Sequence, residues 1–321
     1  MGNPRYAFVF PGQGSQYVGM GAELRAASPL LDRTLRRAGQ LTGQDVAGAM
    51  LRGPEERLAD TVNTQLSVFA VSVALHEAVT ERGLRPVAVA GHSLGEYAAL
   101  VAGGWLELDD ALIAVARRAK AMRACCARTE GAMAAVLGLR PEALVRLAAD
   151  GPADAVVANA NSPKQSVISG TADAVAKLGE LALERGASAV IPLTVDGAFH
   201  SPLMGEAEER LLPLVAELPL KKGRIPIVSS VSGEVVTDPR TYRALLARQI
   251  TSPVRWADVM VRLRGLSVGA FAEVGPGKVL RGLFRHLDRR IPVVGVGSFA
   301  DCLEITGTAA GTASAVAERA A

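Results

Sequence analysis

Short apolar runs alternate with longer stretches whose apolar residues recur every three or four positions, the rhythm of strands exchanging with amphipathic helices. Tyr6 to Phe10 is predicted as a short strand that runs into the glycine-rich turn Pro11-Gly12-Gln13-Gly14-Ser15-Gln16. Polar helical segments fill roughly 20–60, Leu66 to Thr80 carries helix-spaced apolar residues, and Val87 to Ala90 is a second strand. Glu96 to Gly103 and Leu108 to Met122 follow as helices. The second has Asp109 and Asp110 in its first turn, where carboxylates suit the helix dipole.

From about residue 129 the rhythm changes. Ala132 to Leu139 reads as a strand, Pro141 to Ala149 as a helix, and Ala155 to Ala160 and Gln165 to Ser169 as strands. Ala172 to Arg185 is then a helix and Ala189 to Val195 a strand. The order β-α-β-β-α-β predicts a small ferredoxin-like unit over 129–195. It interrupts a larger α/β unit made of 1–128 and 196–300, which resumes with a helix after Ser201 and strands at Ile225 to Val231 and Ala270 to Val274. The Ala/Gly/Thr-rich tail, 301–321, is expected to be peripheral or mobile.

Composition narrows the function classes. With 49% hydrophobic and 21% charged residues over 321 positions, the chain is an ordinary globular one, which argues against disorder. No apolar run is long enough to span a membrane, and the N-terminus lacks a signal-peptide pattern, so the cytoplasm is the expected compartment. Cys125, Cys126 and Cys302 form neither a disulfide framework nor a metal motif. A net charge of +3 is too mild to imply nucleic acid but is compatible with an acidic protein partner.

The sharpest chemical pattern is Gly91-His92-Ser93-Leu94-Gly95, between a predicted strand and a predicted helix. That context makes G-x-S-x-G a nucleophile elbow, in which small flanking residues let a tight turn lift the serine hydroxyl clear of the backbone. Such a serine attacks acyl groups and needs a base. Of the four histidines, His76 reads as a surface residue beside Glu77, His92 as support for the turn, and His286 as part of the basic run 281–290. His200 lies in a loop just beyond a predicted strand and is the best base by elimination; a capping or buried histidine is the alternative. Over a third of the chain follows His200, whereas an ordinary α/β-hydrolase carries its histidine near the end of the fold.

The N–H of Leu94 and the turn at Gly12 to Gly14 are the expected donors to an oxyanion. This turn is not a dinucleotide loop, because Tyr17 stands where the third glycine belongs. On the helix from Leu108, Arg118 falls about 80° from the centre of the apolar stripe. A guanidinium at such an edge can face a cleft and grip a carboxylate, or it can snorkel to the surface.

Nine collinear segments together resemble one family: FVFPGQGSQ (8–16), TQ (64–65), GHSLGEY (91–97), R-x-K-x-M (118–122), GAMAAVLGL (131–139), NSP (161–163), AFHSPLM (198–204), RQITSPVRW (248–256) and EVGPGKVL (273–280). They are similar to those of the malonyl-CoA:acyl-carrier-protein transacylases and the related acyltransferase domains of polyketide synthases. The resemblance implies an α/β-hydrolase-like large domain with an inserted ferredoxin-like one. It also implies a discrete enzyme acting in trans, supplying fatty-acid or polyketide synthesis.

The resemblance assigns roles as well. Ser93 would be acylated and His200 would be its base, with the imidazole oriented by main-chain carbonyls near Gln249. The amides of Gln13 and Leu94 would form the oxyanion hole; Arg118 would bind the free carboxylate of malonate, and Gln65 would line the same pocket. Asn161 would lie near the cleft, and Phe199 before His200 would favour malonyl over methylmalonyl. Gly197 departs from the histidine common there and is expected to open the pocket. No metal or tightly bound cofactor is implied: CoA arrives as a thioester, and phosphopantetheine arrives on an acidic carrier protein. The basic cluster Lys278, Arg281, Arg285, Arg289 and Arg290 is a candidate docking face, an ordinary solvated helix face being the alternative. A serine hydrolase that unloads carrier proteins is the rival reading.

Overall fold

The computed structural model describes residues 5–195 and 197–307. Among them the strands are, in chain order, β1 (Tyr6–Phe10), β2 (Ala88–Gly91), β3 (Ala132–Leu137), β4 (Ala155–Ser162), β5 (Gln165–Gly170), β6 (Ala189–Pro192), β7 (Ile227–Val228), β8 (Val235–Val236), β9 (Ala270–Val274) and β10 (Val293–Val296). They form two sheets, β10-β9-β1-β2-β7-β8 and β4-β5-β3-β6.

The first sheet is parallel except for β8, which turns back antiparallel on β7. Every residue of β1, β2 and β9 is buried, and apart from Glu273 in β9 these strands read as continuous apolar runs rather than alternating ones. That is the signature of a sheet covered on both faces. Phe8 and Phe10 point to one face and pack with helix Thr61–Glu81, while Ala7 and Val9 point to the other, toward Trp256 and Phe284. Helix Thr61–Glu81 is buried nearly all round and starts at Asp60, whose carboxylate accepts from the N–H groups of Val62 and Asn63 at 3.1 Å each.

The second sheet is antiparallel and carries helices Pro141–Ala149 and Ala172–Glu184. Its strands alternate cleanly. Ala134, Val136 and Ile168 face those two helices, whereas Met133, Ala135 and Val167 join the core of the rest of the molecule. The edge strand β4 is stitched to a distant loop, since Val254 donates to Ala158 O at 2.8 Å and accepts from Ala160 N at 2.9 Å. This stitching brings β4 alongside the segment 249–256.

Three expectations change. The strand expected over Ile225 to Val231 pairs only at Ile227–Val228, because Ser229 and Ser230 bend into the return to β8. His76 is not a surface residue: its ring sits edge-on to Phe8 and Phe10 at about 6 Å, and burial pulls its pKa down to about 4. The beginning of the tail is not peripheral either. Residues 299–307 are helical, with Cys302 and Ile305 buried in the core; 308–321 lie outside the described residues. Among the described residues no helix is long and apolar enough to cross a membrane.

Candidate active site

β2 ends at Gly91, and helix Gly95–Ala102 leaves at a sharp angle two residues after Ser93. A methyl group on Gly91 would overlap the backbone of Gly95, and one on Gly95 would overlap the carbonyl of Phe10. Both glycines are therefore required by contact, not by backbone conformation. Ser93 itself adopts a left-handed φ of 51°. For a residue with a side chain this costs on the order of 1–3 kcal/mol, and the packing around the turn holds it there.

The Ser93 hydroxyl lies 2.7 Å from His200 Nε2. The other ring nitrogen, Nδ1, faces the carbonyl oxygens of Gln249 at 3.1 Å and Ser252 at 3.0 Å. Carbonyls only accept, so Nδ1 carries the proton and Nε2 offers its lone pair to the serine. His200 also sits at a left-handed φ of 58°, pinned by its N–H to Ile250 O at 3.0 Å. Burial, then the positive charge of Arg118, pull its pKa down to about 3, so the imidazole is neutral near pH 7.

Arg118 does not snorkel. It is 1% exposed, among the largest fully buried side chains. Its Nη2 donates to Ser93 Oγ at 2.8 Å, its Nη1 to Gln65 Oε1 at 2.8 Å and its Nε to Gln249 Oε1 at 3.2 Å. Burial lowers its pKa, while Tyr97 and Glu96 act in the opposite sense. The Gln249 side chain reaches further, donating from Nε2 to Ser93 O at 3.0 Å and to Glu96 Oε2.

Ser93, His200, Arg118, Gln65, Gln13, Leu94 and Phe199 line one cavity of about 90 Å³. At the ~10–15 Å³ that one water needs, it has room for a handful of non-hydrogen atoms. Among the described residues, the main-chain N–H groups of Gln13 and Leu94 have no protein acceptor. A larger cavity, about 680 Å³ between Arg33, Arg37 and Asp109, contains none of the motif residues.

Other expected residues stand elsewhere. Asn161 is outside the cavity wall, and its Oδ1 accepts from His92 Nε2 at 2.9 Å, holding that ring beside Trp256. Gly197 does not open the cavity, because a side chain there would run into Cys126 at the end of helix Leu108–Cys126. Of the basic cluster, Lys278, Arg285 and Arg289 are exposed, Arg281 leans 3.8 Å from the buried Glu273, and Arg290 pairs with Asp288 at 3.0 Å.

Sequence reasoning passed over Asn159, Met122, Met133, Leu193 and Val195 in the cavity wall, and Glu96 behind it. Asn159 precedes Asn161 by two residues on β4, but the register of β4 on β5 shifts on either side of Ala160, so a period of two does not carry one position to the other. Asn159 Oδ1 is buried at the cavity wall without a protein partner among the described residues.

A match to the acyl transferase domain family covers residues 7–288. The chain is 40% identical over 295 residues to malonyl CoA-acyl carrier protein transacylase of Bacillus subtilis strain 168, covering 91% of this chain and 93% of that one. A crystal structure of malonyl-CoA:acyl carrier protein transacylase from Xanthomonas oryzae pv. oryzae superposes with a TM-score of 0.89 at 38% identity, over 96% of this chain and 99% of that one. A type II PKS acyl-carrier protein in complex with its malonyl-transacylase matches with a TM-score of 0.90 at 33% identity, over 95% and 99%. Beside the half-buried serine and the buried histidine and arginine on a shared cavity, these likenesses extend over nearly the whole molecule. The chain belongs to the malonyl CoA-acyl carrier protein transacylase family and is an acyltransferase.

Proposed function

We propose that the protein moves the malonyl group from malonyl-CoA to the phosphopantetheine thiol of an acyl carrier protein, through a malonyl ester on Ser93. The observation that carries this reading is a fully buried guanidinium, Arg118, with one nitrogen 2.8 Å from the Ser93 oxygen. Burying a cation without a direct ion pair is costly, and a substrate carboxylate is the partner that would offset it.

The steps follow from the geometry. Malonyl-CoA enters with its free carboxylate toward Arg118 and its thioester over Ser93. The Ser93 oxygen attacks the thioester carbon as its proton passes to His200 Nε2. The N–H groups of Gln13 and Leu94 receive the developing oxyanion. As the C–S bond breaks, His200 returns the proton to the CoA sulfur. The carrier's thiol then enters and gives its proton to His200. Its sulfur attacks the ester carbon, and Ser93 leaves with the proton restored. The order is ping-pong, and no step calls for a metal or a resident cofactor.

Phe199 narrows the wall beside His200 and favours malonyl over a branched extender. Lys278, Arg285 and Arg289 offer a positive face for an acidic carrier, with Arg281 partly drawn inward by Glu273. We also read the architecture as an α/β-hydrolase-like unit carrying a ferredoxin-like insertion over 129–195. The parallel sheet around β1 and the antiparallel order β4-β5-β3-β6 support it.

Intact-protein mass spectrometry after mixing with malonyl-CoA tests the intermediate. One malonyl adduct is expected, located on Ser93 and absent from Ser93→Ala. An adduct of equal yield in Ser93→Ala would remove Ser93 as the carrier of the acyl group.

A further inference from the structure

Glu96 stands three residues after Ser93 and is 0% exposed, in a helix whose other residues are apolar or glycine. Among the described residues no ion pair joins it to Arg118, so a buried carboxyl group and a buried guanidinium lie near each other without touching. Between them stands the Gln249 carboxamide. Its Nε2 donates to Glu96 Oε2 and its Oε1 accepts from Arg118 Nε at 3.2 Å. The remaining Glu96 oxygen accepts from Ser230 N at 2.8 Å and from the Tyr242 hydroxyl at 2.9 Å. Burial raises the pKa of Glu96, and the donors Gln249, Ser230, Tyr242 and Ser229 all act against that rise.

We infer that Glu96 is a positioning residue for Arg118, acting through Gln249, and that it sets the preference for an acyl group bearing a carboxylate. A carboxylate only accepts, so it forces the amide nitrogen of Gln249 toward itself. The amide oxygen is thereby turned to Arg118 Nε. A flipped amide would set donor against donor at Arg118 and acceptor against acceptor at both Glu96 and the Ser93 carbonyl. With Nε held by Gln249 and Nη1 held by Gln65, the guanidinium plane is fixed and Nη2 is left at Ser93 Oγ. The Glu96 charge also reaches the guanidinium through one polarised amide, as expected in a low-dielectric interior.

The inference rests on the reading that Arg118 meets the malonyl carboxylate, and the test separates the two. Initial rates of acyl-Ser93 formation are measured with malonyl-CoA and acetyl-CoA for the native protein, Glu96→Gln and Arg118→Ala. In Glu96→Gln the new amide still accepts from Ser230 and Tyr242, so its NH₂ faces Gln249 and drives the flip. Expected is a rise in KM for malonyl-CoA of roughly tenfold, the scale of one hydrogen bond to a charged group, with acetyl transfer within about threefold of native. Equal losses for both substrates, or no change for either, overturn the role of Glu96 while Arg118→Ala still discriminates against malonyl. If Arg118→Ala itself loses both substrates equally, the carboxylate reading fails as well. Should Glu96→Gln not fold, Glu96→Asp withdraws the carboxylate from Gln249 and must show the same malonyl-specific loss; an equal loss for both substrates there overturns the inference too.

Discussion

At the scale of single residues, the Ser93 oxygen lies between two partners of opposite effect. His200 Nε2 is placed to take its proton, while Arg118 Nη2 donates to the same oxygen and its charge depresses the imidazole. A carboxylate seated on Arg118 would cancel that charge and draw the guanidinium off the hydroxyl. On this account the dicarboxylic substrate strengthens its own base. Replacing Arg118 by Met removes the charge but keeps the burial. The His200 pKa, about 3 in the native protein, is therefore expected to rise toward the ordinary histidine range without reaching it. The acid limb of kcat/KM for acetyl-CoA should move to higher pH, since that limb reports the free enzyme's base. A limb that stays in place or moves to lower pH would show that Arg118 does not tune His200.

At the scale of elements, the elbow is a crossing in which backbone touches backbone. A methyl at Gly95 would overlap Phe10 O and lie 2.9 Å from Pro11 O, so helix Gly95–Ala102 would have to lift from the end of β1. Leu94 N–H would move with it, away from the Gln13 turn. Gly95→Ala is expected to lose roughly 2 kcal/mol or more in chemical denaturation and most of its acylation rate, the overpacking scale being about 1–3 kcal/mol. Gly205, also the first residue of a helix, has open space where its side chain would be, and Gly205→Ala should leave both unchanged. Equal behaviour of the two variants would contradict this account of the elbow.

Much at this scale is legible in the sequence where a local pattern is strong. Helix Pro141–Ala149 and strand Ala270–Val274 fall where periodicity puts them, because each has an apolar signal and clear ends. β8 carries no signal in the sequence, since two residues have no period, and β10 is a short Val-Gly-Val run in a loop-like context. The pattern does not separate helices Pro239–Ala247 and Trp256–Arg264 from loop either. His76 reads as exposed because its neighbour Glu77 suggests solvent, although the helix it belongs to is buried nearly all round. In the site, Ser93 is read from its own turn, whereas Arg118 needs the family likeness to choose cleft over surface. Glu96 and Asn159 act through neighbours 153 and 95 residues away, Gln249 and Val254, and no local rule reveals such pairings.

At the scale of the whole molecule, the cavity is closed by two parts of the chain. Ser93, Gln13 and Arg118 come from around the parallel sheet, while Met133, Asn159, Leu193 and Val195 come from the antiparallel one. The stitch of β4 to Val254 holds those walls together beside Gln249, where the His200 ring is oriented. Transfer rather than hydrolysis asks that the ester on Ser93 meet a thiol brought in by a partner before it meets water. The most direct measurement follows labelled malonyl-CoA with the enzyme, in the presence and absence of an acidic holo carrier protein. Label should move to the carrier's phosphopantetheine thiol, with little free malonate released while carrier remains. Free malonate appearing at the same rate with or without carrier, and no label on the carrier, would contradict the account.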